Sequence, residues 1–214
     1  IQELMLIAPF NDLDTTTAII EAHHDELGGV IVEPLQRALV PQPGFLQGLR
    51  EVTSHYGIPL IFDEVVTGFR LAYGGAQEFY GVVPDMCTVG KIMGGGYPSA
   101  ALLGTAEFMS VYDKSSADPD SFVSQVGTLN GNPIASAAGL ATLAEMRKEG
   151  AYQRLVEVGG RLCQAMKDIC KQHGIPVQVC GEDSIFDFYF SDRPMINYRD
   201  TLMADSGMMT RFMT

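Results

Sequence analysis

The sequence is short of basic residues. Fourteen Lys and Arg stand against 26 Asp and Glu, a formal net charge of −12. No Lys/Arg cluster offsets that charge, which argues against nucleic acid and anionic membrane surfaces as partners. No apolar run approaches the roughly 20 residues a bilayer span needs. The opening residues show no signal-peptide pattern. The four cysteines, Cys87, Cys163, Cys170 and Cys180, lack CxxC spacing. They are expected as reduced core thiols of a cytoplasmic protein. Internal repeats and low-complexity tracts are absent. His23 and His24 are adjacent, so on a helix they point about 100° apart. No third ligand is near, and no metal is expected. What remains is ordinary for a globular chain. Of 214 residues, 46% are hydrophobic and 19% charged, enough for one sizeable core or somewhat more.

The most informative stretch runs from Ile58 to Pro98. Two short apolar runs each deliver charge at their end. Pro59 to Phe62 leads into Asp63 and Glu64, and Met86 to Val89 leads into Gly90 and Lys91. Runs this short, flanked by Gly and Pro, read as buried parallel strands. Ligands of open α/β sheets bind just outside the carboxyl ends of such strands. An acid and a lysine arriving at one sheet edge suit pyridoxal phosphate. The lysine condenses with the aldehyde, and the carboxylate keeps the pyridine nitrogen protonated. Three glycines after Lys91-Ile92-Met93 let a bulky ligand approach the backbone. The bland alternative is an exposed lysine on a glycine-rich loop.

The rest of the chain supports a parallel sheet. Leu4 to Ala8 is apolar and is expected as a strand. Asn11 and Asp12 offer N-cap chemistry for a helix over Thr15 to Leu27. Val30 to Val32 is a strand ending in Glu33-Pro34. Glu33 is either a site acid or a structural acid before a turn. Pro43-Gly44 opens a helix to Tyr56, with Phe45, Leu49, Val52 and Tyr56 at helical spacing. The order strand, helix, strand is the signature of parallel pairing. Ser99 to Gly104 is a further strand, and Asp113 to Asp120 a surface loop. Asn132 and Pro133 start a helix that ends near Lys148. Tyr152 to Gln172 is another helix, with Leu155, Val158, Leu162, Met166 and Ile169 on one face. Val177 to Val179 and Ser184 to Phe190 read as antiparallel strands. The character changes after Gly150, so we expect domains at 1–150 and 151–214. Residues 191–214 show no clear period and receive no role.

The pattern DEVVTGFRLAYGGAQ followed by TVGKIMGGGYP resembles the class III aminotransferases, over about Pro9 to about His173. Within that class it is similar to the branch holding glutamate-1-semialdehyde aminomutase. The resemblance implies an α/β fold: part of a three-layer sandwich with a mainly parallel sheet, followed by part of a small α+β C-terminal domain. It implies pyridoxal 5'-phosphate held by Lys91 and Asp63, with Val65 packing on the ring and Glu33 helping to build the site. Thr128, in Gly127-Thr128, would contact the phosphate from a neighbouring subunit, implying a homodimer. On residue chemistry alone, the alternative for that segment is simple helix capping. Arg70 could clamp a substrate carboxylate, although a solvated or salt-bridged arginine is the more ordinary role.

The chain departs from its relatives after Glu33-Pro34. The ornithine-type branch follows with Gln-Gly-Glu, and the aminomutase branch has Asn at the last of those positions. Here the residue is Ala38, which has no side-chain donor or acceptor. Full family members are roughly twice this long for a two-domain fold. The resemblance places the phosphate loop and a ring-stacking aromatic outside this sequence, which is therefore expected to be part of a longer chain. The implied partners are a small amino donor and a carbonyl acceptor. Three outcomes stay open: an aminotransferase; an aminomutase, decarboxylase or racemase; or a non-catalytic scaffold or binding subunit.

Overall fold

The computed structural model describes residues 4–115 and 117–214. Four strands form the main sheet: β1 (Val30–Val32), β2 (Leu60–Glu64), β3 (Met86–Val89) and β4 (Ala101–Gly104), in that spatial order. β1 to β3 run parallel, and β4 returns antiparallel to β3. The register sets Phe62 beside Cys87 and Asp63 beside Thr88. Alternation then sorts the two faces. Leu60, Phe62, Cys87 and Val89 are buried on one face. Ile61, Asp63 and Thr88 are half-buried on the other, and Ile31 is 61% exposed.

Helix α1 (Leu13–His23) and helix α2 (Phe45–Tyr56) feed the buried side. Asp12 caps α1, accepting from the Thr15 N–H at 2.9 Å and the Thr15 hydroxyl at 2.7 Å. Asn11 is not the cap. Its amide bonds Val40 O, Ile196 O and Gln42 N, tying three distant segments. In α2 the buried residues are Phe45, Leu46, Leu49 and Thr53. Val52 and Tyr56 of the expected face are only half-buried. Gly57 ends α2 in a left-handed conformation, with Ile58 N bonding Thr53 O at 2.9 Å. Asp85 locks the opposite end of the sheet. It accepts from Arg50 Nη1 at 2.8 Å and from Leu60 N at 2.7 Å.

Short helices α3 (Gly75–Tyr80) and α4 (Ala106–Met109) follow β2 and β4. Helix α5 (Pro133–Met146) has Asn132 as cap and Pro133 in its first turn, as expected. Helix α6 (Ala151–Gln172) packs on a hairpin of β5 (Gln178–Glu182) and β6 (Ile185–Tyr189). Two short helices close the chain, α7 (Tyr198–Thr201) and α8 (Ser206–Met213).

Two expectations are corrected. Leu4 to Ala8 forms no strand; Leu4 and Ile7 are 87% and 88% exposed, and nothing among the described residues pairs with them. The apolar face foreseen for α6 is not its buried face. Leu162 and Ile169 are each 55% exposed, whereas Gly159, Cys163 and Cys170 are buried. The hairpin approaches α6 at its small residues, because only there can backbone meet backbone. Ser116, within the expected surface loop, lies outside the described residues. All four cysteines are free, and Cys87, Cys163 and Cys170 are buried.

The α6 contact makes a paired prediction. A Cβ on Gly159 would overlap Asp183 O, while one on Gly160 would sit 3.4 Å from the Asp183 side chain. Alanine is the better helix former by about 1 kcal/mol. Gly160→Ala should therefore raise the melting temperature slightly. Gly159→Ala should lower it, by overpacking of about 1–3 kcal/mol. Thermal unfolding of both variants checks this.

Candidate active site

The two strand ends place the acid and the lysine as the sequence suggested. Asp63 is the fourth residue of β2, and Lys91 starts a 3-10 turn, Lys91–Gly94, directly after β3. Asp63 is oriented by two donors on one oxygen. Thr88 Oγ1 and the Val65 N–H each lie 3.1 Å from Asp63 Oδ1. Asp63 Oδ2 has no hydrogen-bond partner among the described residues, so it can accept from a ligand. The Lys91 side chain is exposed and makes no hydrogen bond or ion pair among the described residues.

Lys91 has φ of 45°. A non-glycine residue there is uncommon, and such strain clusters at functional sites because the surroundings enforce it. The enforcement comes from α5. A Cβ on Gly139 would run into Met93 O, and one on Gly95 would meet Ala138 O at 2.6 Å. Helix and turn thus touch backbone to backbone. No local sequence pattern marks the close approach at Gly139 and Gly95, or the contact between Thr88 and Asp63. The Thr88 contact was recoverable once β2 and β3 were paired in register.

Glu33 joins the pair electrostatically. Burial first, and the Asp63 charge second, push its carboxyl above the usual range. Arg37 and Lys91 pull it back down. Glu33 and Asp63 also line a cavity of about 590 Å³ between residues 4–10 and the free edge of β1. Lys91 is not part of its wall. The cavity therefore reaches Glu33 and Asp63 but not Lys91.

The remaining candidates separate clearly. Val65 is half-buried beside the β3 end; a Cβ on Gly90 would sit 3.6 Å from its Cγ1. Arg70 is half-buried and donates from Nε to Val66 O at 3.1 Å, a structural use. Thr128 is exposed in a turn closed by a hydrogen bond from Asn130 N to Gly127 O, and its side chain makes no hydrogen bond among the described residues. Ala38 sits in a small apolar cluster with Leu35, Leu71 and Ala76. It and Arg37 are both left-handed in a two-residue turn between Gln36 and Leu39. That position serves packing here. His24 stacks on Tyr56 with centroids 4.7 Å apart. No group of three His, Cys, Asp or Glu among the described residues could hold a metal.

These residues fit the group the sequence suggested. A ring with a protonated nitrogen needs an oriented carboxylate with an unused oxygen, which Asp63 offers. An aldehyde needs an accessible amine, which Lys91 offers.

Comparison with known proteins agrees with this chemistry. The sequence profile of the family Aminotransferase class-III matches residues 7–211. Glutamate-1-semialdehyde 2,1-aminomutase 2 of Brevibacillus brevis is 45% identical over 203 residues. That match covers 94% of this chain and 46% of the relative, so the chain spans about half its length. An omega-transaminase from Sphaerobacter thermophilus superposes with a TM-score of 0.85 at 40% identity, over 92% of this chain and 44% of that one. A beta-phenylalanine aminotransferase from Variovorax paradoxus gives 0.86 at 34% identity, over 96% and 47%. With a mainly parallel sheet, a carboxylate and an amine at adjacent strand ends, and a profile match over nearly the whole sequence, the chain belongs to the class III aminotransferase family.

Proposed function

We propose that the chain carries the lysine and ring-nitrogen acid of a pyridoxal-phosphate-dependent aminotransferase. The enzyme moves an amino group between an amino acid or amine and a keto acid or aldehyde. The observation that carries this reading is the pairing of Asp63, with one unused carboxylate oxygen, and Lys91, with an accessible amine, at neighbouring strand ends. When bound, the cofactor supplies an aldehyde that condenses with amines and a ring that withdraws electrons.

The protein's own groups then have defined tasks. Lys91 Nζ is the amine that would hold the cofactor in the resting state. Once released, the amine takes a proton from the substrate α-carbon and returns it later, acting first as base and then as acid. Asp63 Oδ2 would accept from the protonated ring nitrogen, while Thr88 Oγ1 and the Val65 N–H fix the other oxygen. Val65 would bound one face of the ring. Glu33, a carboxyl pushed upward beside Asp63, lies within electrostatic reach of Lys91.

A second reading is a 2,1-aminomutase, favoured by the 45% identity to the Brevibacillus relative. It differs in needing no free carbonyl acceptor. Turnover of an amino donor with and without added keto acid separates the two.

We further propose residues 1–150 as part of the cofactor-binding large domain and 151–214 as part of a small C-terminal domain. Homodimerisation is supported by exposed apolar residues around Thr128. Val126, Leu129 and Ile134 are 84%, 66% and 64% exposed, and such a patch invites a second copy. Free, mostly buried cysteines suit the cytoplasm. The net charge of −12 speaks against nucleic-acid partners. No helix among the described residues is long and apolar enough to cross a membrane.

Two experiments on the full-length protein test this. Wild type mixed with pyridoxal phosphate should acquire a visible absorption band that Lys91→Ala lacks. A wild type without that band would favour a non-catalytic binding role. Thr128→Ala should weaken cofactor affinity about tenfold, about 1.4 kcal/mol, if its hydroxyl reaches the partner's phosphate site. Unchanged affinity, measured by titration, would remove Thr128 from the site.

A further inference from the structure

Glu64, next to Asp63, has no part in the chemistry above, yet it is 1% exposed. No other Asp or Glu among the described residues is buried so completely. A carboxylate stays in an interior only when its oxygens are satisfied. Here three donors do so. Thr67 Oγ1 donates to Oε2 at 3.0 Å, the Ala76 N–H donates to the same oxygen, and Gln77 Nε2 donates to Oε1 at 2.9 Å. No cation pairs with it among the described residues.

All three donors lie in the loop and helix start that follow β2. Gly75 has φ of +72°, and a Cβ there would run into the Glu64 carboxylate, so only glycine permits this closure. The same loop is tied at its beginning, where Gly68 N donates to Glu64 O at 2.8 Å. Glu64 thus closes residues 65–76 from both ends. Val65 is the first residue inside that closure, and its N–H is one of the two donors that orient Asp63.

We propose that Glu64 is a positioning residue, whose buried carboxylate holds the 65–76 loop and thereby aims Asp63 at the ring nitrogen of the bound cofactor. This rests on the aminotransferase reading. The hydrogen-bond pattern also says which substitution is tolerated. In Glu64→Gln the new amide donates, and the Gln77 amide can turn to accept with its oxygen. Cys87 Sγ, 3.2 Å from Gln77 Nε2, then donates to that oxygen. Burial, the larger of the two causes that push the Cys87 thiol up and the one this substitution leaves in place, lets it keep its hydrogen.

The test uses full-length protein saturated with pyridoxal phosphate, in wild-type, Glu64→Ala, Thr67→Val and Glu64→Gln forms. The reading is the pH midpoint of the visible-band titration, alongside the melting temperature of each cofactor-free protein. Glu64→Ala should move the midpoint by about half a pH unit or more, because the titration senses the ring nitrogen's partner. Thr67→Val removes one donor without changing charge, and should move it in the same direction by less. Glu64→Gln should stay within about 0.2 unit of wild type. Lower melting temperatures with unmoved midpoints would make Glu64 a structural anchor only and overturn the inference. If Glu64→Ala does not fold, Thr67→Val decides by the same criterion. A Glu64→Gln midpoint displaced as far as that of Glu64→Ala would overturn the hydrogen-bond account in favour of charge alone. A wild type with no visible band overturns the functional reading, and this inference with it. A normal wild-type band with unmoved variants overturns this inference alone.

Discussion

The candidate site depends on the parallel register of β2 against β3. That register sets Asp63 beside Thr88 and Glu64 beside Val89. Because side chains alternate along a strand, consecutive acids take opposite fates. Asp63 faces the partly open side, with one oxygen spare. Glu64 faces the interior, where its carboxylate accepts from Thr67, Ala76 and Gln77. A slip of one residue would exchange these roles and bury the wrong acid. The register is in turn secured at the far end by Asp85, which accepts from both Arg50 and the first amide of β2.

The lysine is placed by a different device. β3 ends at Val89, and the chain bends at once into a turn whose first residue has positive φ. Nothing in β3 requires that conformation. Helix α5 enforces it by close approach at Gly95 and Gly139, where any side chain would collide with backbone. Sheet register fixes the acid, and helix packing fixes the amine.

Much of this was legible in the sequence because the signals were local. Short apolar runs bounded by Gly and Pro gave β1, β2 and β3 within a residue or two, and Asn132-Pro133 marked the start of α5. The missed features depend on what packs where. Leu4 to Ala8 is apolar enough for a strand, but a strand needs a hydrogen-bonded neighbour, and this segment has none among the described residues. The apolar stripe of α6 was correctly spaced, yet the hairpin docks on Gly159 and the cysteines, since close backbone approach outweighs side-chain hydrophobicity there. Asn11 looked like a cap beside Asp12. Its amide instead satisfies carbonyls 29 and 185 residues away, a use no local pattern encodes. At the site, Asp63, Lys91, Glu33 and Val65 were nameable from motif. Thr88, Glu64 and Gly139 needed the register and the packing.

The central claim is that Lys91 and Asp63 serve one ring. The most direct measurement is a crystal structure of the full-length protein grown with pyridoxal phosphate. The account predicts continuous density from Lys91 Nζ to the cofactor, with Asp63 Oδ2 in hydrogen-bond contact with the pyridine nitrogen. Cofactor attached at another lysine, or a ring nitrogen facing away from Asp63, would contradict it.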